Sequence, residues 1–199
     1  MIRVPTTADV EALADLYTAR YGIAWVPKAS DPRAGAAGKL LAALGIIHGD
    51  AWTRYNSIFP ASAPPLLSVP TCFLAAGYYT AEPMHQIQIL AHEATHRAEA
   101  MKLANDGWEW VARYATDTDF RLVQEMIAYS TSLVLARAAD PSVALAAPDA
   151  LVGRVRANYG IGDAAINAGV AVAASLLAEI EAGGTISGPT RDAIALLGE

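Results

Sequence analysis

The chain has 199 residues, of which 54% are hydrophobic and 17% are charged, and its mean hydropathy is +0.28. A chain of this length and composition can bury a core without a disulfide or a metal, so it is neither a disordered protein nor a coiled coil. The net charge is −6 and no run of Lys or Arg occurs, which argues against a nucleic-acid-binding or anionic-membrane-binding surface.

The N-terminal third of the sequence predicts two helices separated by an extended segment. Apolar periodicity predicts the first helix over residues 8–20, and Gly22 ends it. Residues 23–27 are predicted to be extended, and a second helix is predicted over residues 36–47. Residues 56–65 are rich in Pro, Ser and Ala, which is typical of irregular surface chain.

A small β element is predicted next, directly before a long helix. Residues 66–79 contain the β-branched and aromatic side chains of one or two short strands. Pro70 cannot donate to a strand ladder, so we expect an edge strand and not a central one. Thr80 is the predicted N-cap of a helix that continues to about Ala104, with Pro83 in its first turn.

The rest of the chain is predicted to be helical. A short aromatic helix over residues 107–114 precedes a long one over residues 118–138, which ends before Asp140. Two or three further helices are predicted after it, over residues 148–158, 162–181 and 189–197. The sequence therefore predicts one mainly α (α+β) domain over residues 1–199, with a small edge β element and a helical C-terminal part over about 147–199.

Signals for export or membrane insertion are not evident in the sequence. The N-terminus has no apolar core, and acidic residues follow at once at Asp9, Glu11 and Asp15. A charge-free stretch at residues 164–178 is too short for a bilayer core of about 30 Å. We therefore expect a cytoplasmic protein without a membrane segment.

One motif carries chemistry, because residues 92–96 read His-Glu-Ala-Thr-His, an H-E-x-x-H sequence inside a predicted helix. Histidines four residues apart share a helix face, so the imidazoles of His92 and His96 can reach one metal ion. Glu93 lies about 100° around the helix from His92, where its carboxylate can take a proton from an activated water. Zinc suits imidazole ligands and has no redox chemistry, so the motif predicts a zinc site.

On these residues the chain resembles the zincin metallopeptidases, and among them the gluzincins. Gluzincins take a third ligand from a glutamate on a later helix, followed three residues on by a small residue, and Glu125 with Ala128 matches that pattern. The metzincin continuation, with a Gly and a third His, is absent after His96. The resemblance covers a metal-binding core of about residues 66–138 and implies one Zn²⁺ per chain, held by His92, His96 and Glu125.

Several roles around this site stay open in the sequence. The rival third ligands are Glu99, Asp117 and Asp119. Zincins stabilise the tetrahedral oxyanion with a His, Tyr or Arg, and no spacing rule selects among four candidate residues: Tyr129, Arg121, Tyr78 and Tyr79.

Arg97 departs from the family pattern, in which an uncharged residue follows the second histidine. An extended peptide could add alongside the predicted edge strand at residues 71–76.

Two functions of different classes follow from this resemblance. The first is a zinc-dependent metallopeptidase of gluzincin type, in which Glu93 is the general base and the substrate is a peptide, a protein or a peptidoglycan cross-link. The second is a structural or interaction protein on a zincin-like scaffold with a structural or vestigial metal site, such as a phage virion component. Its alanine-rich C-terminal helices would pack on a partner, although they fit a plain helical cap equally well. A metal-dependent hydrolase of another bond is a third reading.

Overall fold

The computed structural model describes residues 1–43, 56–63, 66–159 and 166–198. The described chain is mostly helical with a small three-stranded sheet, so the predicted mainly α (α+β) class is confirmed. The end of the predicted second helix and the start of the one predicted over residues 162–181 lie outside the described residues.

The elements follow the predicted order closely. The helices are α1 (Thr7–Tyr21), α2 (Ala34–Ala43), α3 (Ala76–Tyr79), α4 (Pro83–Ala100), α5 (Trp108–Thr116), α6 (Thr118–Ala139), α7 (Pro148–Tyr159), α8 (Ile166–Glu181) and α9 (Gly188–Gly198). A 3-10 turn at Asn105–Gly107 precedes α5. The strands are β1 (Ala24–Pro27), β2 (Ser57–Phe59) and β3 (Thr71–Leu74).

The predicted position of the β element in its sheet is wrong. Strand β3 is central, because β1 pairs with it in parallel on one side and β2 pairs with it antiparallel on the other. Pro70 precedes the first residue of β3, so its missing N–H interrupts no ladder bond, and its carbonyl accepts from Ala24 N at 2.9 Å. With both edges of β3 paired, a substrate peptide cannot add alongside residues 71–76.

The prediction of irregular chain over residues 56–65 is also wrong in part, because the segment contains β2. The three residues Ser-Ile-Phe are short for a strand, but Ile58 and Phe59 are buried and pair with Cys72 and Thr71 of β3. The surrounding Pro, Ser and Ala residues concealed this strand in the sequence pattern. In the described part of the sheet, β2 is an edge strand.

Helix α4 begins and ends at other residues than predicted. Glu82 is its N-cap and Pro83 occupies the first turn, whereas Thr80 ends the separate short helix α3. At the other end, Lys102 N and Leu103 N bond to carbonyls three residues back, which closes the helix at Ala100.

Helix α4 lies at the centre of the fold and packs against α1, α5, α6 and α9. Its apolar face, which includes Ile87, Leu90 and Ala94, is fully buried in a core shared with α1 and α9. The C-terminal helix is fixed to the N-terminal one by Tyr17, whose hydroxyl donates to the Pro189 carbonyl at 2.5 Å. Among the described helices, none combines the length and the apolar character needed to cross a membrane.

Candidate metal centre

The packing of α4 against α6 brings three predicted ligands together. His92 Nε2 lies 3.6 Å from Glu125 Oε2, and His96 Nε2 lies 3.2 Å from Glu125 Oε1. One ligand atom from each residue falls within 4.8 Å of the other two, so the cluster could hold a metal ion. The His92 imidazole also hydrogen-bonds to the Ala128 backbone carbonyl, a contact that orients the ring.

Two of the three residues in the cluster are buried, His92 is partly exposed, and some of the buried polar atoms lack a hydrogen-bond partner. Glu125 is 1% exposed and His96 is 4% exposed. Two buried atoms, His96 Nδ1 and Glu125 Oε2, have no hydrogen-bond partner. An unpartnered carboxylate oxygen in the interior is costly unless a cation compensates it, so this donor set of two imidazoles and one carboxylate fits a divalent metal.

The electrostatics of the cluster favour a positive charge beside Glu125. Burial would raise the pKa of Glu125, but the charges of His96 and His92 and the hydrogen bonds from His96 and Tyr114 lower it to about 2. Burial would lower the pKa of His96, yet the charge and hydrogen bond of Glu125 raise it overall. Burial and the neighbouring His96 lower the pKa of His92 to about 4. The carboxylate is therefore ionised and draws a cation toward it.

Glu93 lies beside the cluster and faces strand β2. Its carboxylate accepts a hydrogen bond from the Ile58 backbone N–H, which orients it from the edge of the sheet. Burial, with a further contribution from Glu125, raises the pKa of Glu93 to about 7, although His96, Lys28 and the Ile58 amide act in the opposite direction. The predicted general base is thus held in place by the strand that the sequence pattern concealed.

Two cavities adjoin the cluster. The first, of about 60 Å³, reaches His92, Glu93, His96 and Glu125, and its other walls are mostly apolar: Leu41, Ile58, Phe59, Pro60, Trp110 and Val111. The second, of about 400 Å³, extends from His92 and Glu93 along α4 and α6. Its polar lining is largely uncharged and includes Asn56, Tyr78, His85, Gln88, Tyr129 and Ser132.

The four candidate oxyanion donors occupy different environments. The Tyr129 ring lies 4.9 Å from the His92 ring, and Tyr129 and Tyr78 both line the larger cavity. Tyr79 is 51% exposed and lines neither cavity. Arg121 is buried, and its guanidinium donates to the carbonyls of Tyr114 and Ala115 at 2.8 Å each, so it closes the C-terminal end of α5. The geometry therefore favours Tyr129 over Arg121.

The rival third ligands lie outside the cluster. Glu99 forms an ion pair with Lys102, which lies just beyond the C-terminal end of α4. Asp117 is the N-cap of α6 and accepts from Phe120 N at 3.0 Å. Asp119 is exposed in the first turn of α6.

Arg97, the residue that departs from the family pattern, is part of the scaffold. Its guanidinium donates to the carbonyls of Tyr21 and Pro60 and to the carboxylate of Asp106, at 3.1, 2.8 and 3.1 Å. Gly107 allows this arrangement, because its φ is +90° and a Cβ there would lie 2.9 Å from the Pro60 carbonyl oxygen. Arg97 thereby ties α4 to the ends of α1 and β2.

Sequence reasoning missed one polar contact of the cluster. Trp110 and Tyr114 belong to the predicted short aromatic helix, and both are buried. The Tyr114 hydroxyl also donates a hydrogen bond to Glu125 Oε1. The helical spacing of these aromatic residues indicates a buried face of α5, but it does not indicate that a hydroxyl on that face meets a ligand on α6.

Comparison of the chain with known protein families, with curated proteins and with solved structures finds no match.

Proposed function

We propose that the protein is a zinc-dependent metallopeptidase of gluzincin type. The observation that carries this proposal is the cluster of His92, His96 and Glu125, in which the buried Oε2 atom of Glu125 has no hydrogen-bond partner and is available to a cation. A general base, Glu93, and a cavity large enough for part of a substrate lie directly beside it. A metal used only to hold the fold together needs neither of these neighbours.

Zinc is the metal that the donor set supports best. Two imidazoles and one carboxylate leave a fourth position open, which is the ligand count of catalytic zinc sites. Bound zinc supplies Lewis acidity, which makes water nucleophilic at neutral pH and polarises a carbonyl group.

The chain's own residues supply the proton transfers. Glu93 is held by the Ile58 N–H on the cluster's β2 side, so its carboxylate is positioned to accept a proton from the attacking water. The same carboxylic acid then gives the proton to the departing amine nitrogen. The position of Glu93 next to both cavities allows it to serve both steps.

Tyr129 is the residue we assign to the developing oxyanion. Its ring lies against His92, and it lines the cavity in which a scissile carbonyl would lie. A phenolic hydroxyl can donate to an oxygen that becomes negative only in the transition state.

The substrate that suits the larger cavity is a polypeptide with an uncharged residue next to the scissile bond. Apart from Glu93, the lining is composed of amides, hydroxyls, apolar groups and two histidines. Amide and hydroxyl groups bind the polar but neutral groups of a peptide chain without the desolvation of a second charge.

The proposal is tested with Glu93→Gln and a library of fluorescence-quenched peptides. The zinc-loaded wild-type protein is expected to cleave members of the library, and Glu93→Gln to lower the rate by about 10²–10⁴-fold because it removes general acid–base catalysis. Zinc content, measured by mass spectrometry of the metal, is expected to remain one ion per chain. Glu99→Gln is the matched control, since it makes the same change on the same helix outside the cluster.

Two results would count against a peptidase. If the wild-type protein binds zinc and cleaves no peptide, the site is a structural or vestigial metal centre or serves the hydrolysis of another bond. If cleavage survives in Glu93→Gln at the wild-type rate, the catalysis arises from another residue or from a contaminant.

A further inference from the structure

We infer that Tyr114 is a positioning residue for the metal ligand Glu125. It holds one carboxylate oxygen so that only the other oxygen is left for the metal. The inference rests on the metal site of the proposed function, but not on peptidase activity.

The two oxygens of Glu125 have different environments. Oε1 accepts a hydrogen bond from the Tyr114 hydroxyl and lies 3.2 Å from His96 Nε2. Oε2 has no hydrogen-bond partner and lies 3.6 Å from His92 Nε2. A carboxylate with one oxygen occupied by a neutral donor and one oxygen unpartnered is arranged to bind a cation through a single atom.

Tyr114 is itself fixed by its surroundings. Its ring stacks on Trp110 with centroids 4.5 Å apart and planes 18° apart, and the Trp110 indole N–H donates to Gln124 Oε1 at 3.0 Å. Arg121 donates to the Tyr114 backbone carbonyl at 2.8 Å. Gln124 and Arg121 belong to α6, as Glu125 does, so two hydrogen bonds between α5 and α6 hold the Tyr114 hydroxyl in register with the ligand.

This arrangement prepares the site before metal arrives. The carboxylate is 1% exposed, and the Tyr114 hydroxyl is a donor that reaches Oε1 from within the core. Without that hydroxyl, Oε1 loses its neutral donor and the carboxylate is free to turn both oxygens toward the metal. Partners of this kind typically change metal affinity by about 10–100-fold when they are removed.

The test compares Tyr114→Phe with Tyr17→Phe. Each variant deletes one buried hydroxyl hydrogen bond, but Tyr17 donates to the Pro189 carbonyl and not to a ligand. Zinc affinity is measured by competition with a chromophoric chelator, and the Co²⁺-loaded proteins are compared by visible absorption. Thermal unfolding of the metal-free proteins checks that both variants are folded.

The expected result is a fall in zinc affinity of about 10–100-fold for Tyr114→Phe only. The Co²⁺ spectrum of that variant is also expected to weaken, because a second Glu125 oxygen raises the coordination number from four to five. If the Tyr114 hydroxyl only stabilised the fold, both variants would unfold at a lower temperature, and the Co²⁺ spectrum of each folded protein would be unchanged. If Tyr114→Phe keeps the wild-type affinity and spectrum, the inference is overturned while the metal site stands.

A measurement on the wild-type protein keeps the inference testable if Tyr114→Phe does not fold. X-ray absorption of the zinc-loaded protein is expected to give four nitrogen or oxygen ligands at about 2.0–2.1 Å. Two carboxylate oxygens in the coordination shell would overturn the role of Tyr114. A wild-type protein that binds no metal would overturn this inference together with the proposed function. A protein that binds metal but hydrolyses no peptide would overturn the peptidase alone.

Discussion

Helix α4 carries two buried polar clusters on neighbouring faces, and they differ in how completely their atoms are paired. Toward α6, His92 and His96 face Glu125, and two of the buried atoms, one on His96 and one on Glu125, have no partner. Toward the start of α9, the Thr95 hydroxyl lies 3.0 Å from the Ser187 hydroxyl.

In the second cluster, which we call the closed cluster, the hydroxyls of Thr95, Ser187 and Thr190 find all their partners within the protein. The Ser187 hydroxyl lies 2.8 Å from the Thr190 hydroxyl and accepts from Thr190 N at 3.2 Å. The Thr95 hydroxyl also lies 2.8 Å from the Ala91 carbonyl, to which it can donate. Each of the three hydroxyl oxygens has a partner within the protein.

The difference separates a structural polar cluster from a binding site. Most of the polar residues in both clusters are buried, so burial alone does not distinguish the clusters. A polar cluster whose hydrogen bonds are complete is explained by the fold, whereas buried atoms without a partner in the protein are available to a ligand. Substitutions in the two clusters should therefore affect different measurements.

The largest effect is expected from His96→Ala, because this variant removes one of the candidate metal ligands from the cluster with unpartnered atoms. Zinc affinity is expected to fall by more than about 100-fold, beyond the range of outer contacts, because a coordinate bond is lost. Competition with a chelator measures the fall. His85→Ala, which removes an exposed histidine from the same helix, is the control and should bind zinc as the wild type does. Equal affinities in the two variants would show that the metal binds elsewhere.

A second prediction concerns Lys28, a polar residue that belongs to neither of the two clusters. Lys28 donates to the Ser57 hydroxyl at 3.3 Å, and burial lowers the pKa of its amine from 10.5 to about 8 despite the charges of Cys72 and Glu93. Between pH 8 and 10.5 the Lys28 amine then binds more protons in the unfolded chain than in the folded one, so its contribution to the free energy of unfolding should rise with pH. The whole rise is on the order of 3 kcal/mol, because a tenfold difference in proton affinity between the two states corresponds to about 1.4 kcal/mol.

Lys28→Met should remove that rise and should stabilise the protein at pH 7. Urea unfolding of the metal-free proteins from pH 7 to pH 10 measures the difference between wild type and variant. Lys39→Met, at an exposed position of α2, controls for the loss of one positive charge. Parallel pH profiles for the wild type and Lys28→Met would rule out a buried ammonium as the origin of the dependence.

The same contrast explains how much of the molecule could be read from its sequence. Helix α6 was predicted within one residue at its C-terminal end, since apolar periodicity and flanking Asp residues are local signals. His92 and His96 were predicted together because their four-residue spacing on a helix fixes their relation without knowledge of the fold. Glu125 came from the family resemblance and not from any local rule.

What the sequence did not predict depends on contacts between distant segments. The central place of β3 follows from parallel pairing with β1, whose residues pair in register from Ala24 with Thr71. The hydrogen bond from Tyr114 to Glu125 depends on how α5 crosses α6. The sequence around β3 does not show whether the strand is central or at an edge, and the sequence of α5 does not show that Tyr114 meets Glu125. Apolar and aromatic side chains would fill a core in each of these arrangements.

The smallest effect is expected in the closed cluster, from Ser187→Ala. The variant leaves the Thr190 N–H and hydroxyl without their partner in the interior, which costs about 2 kcal/mol of unfolding free energy. Zinc affinity should not change, because no ligand atom is involved. Ser142→Ala, an exposed serine that bonds to Asp140, is the control for stability. If Ser187→Ala instead weakened zinc binding at unchanged stability, the two faces of α4 would be coupled, and completeness of hydrogen bonding would no longer separate a structural cluster from a binding site.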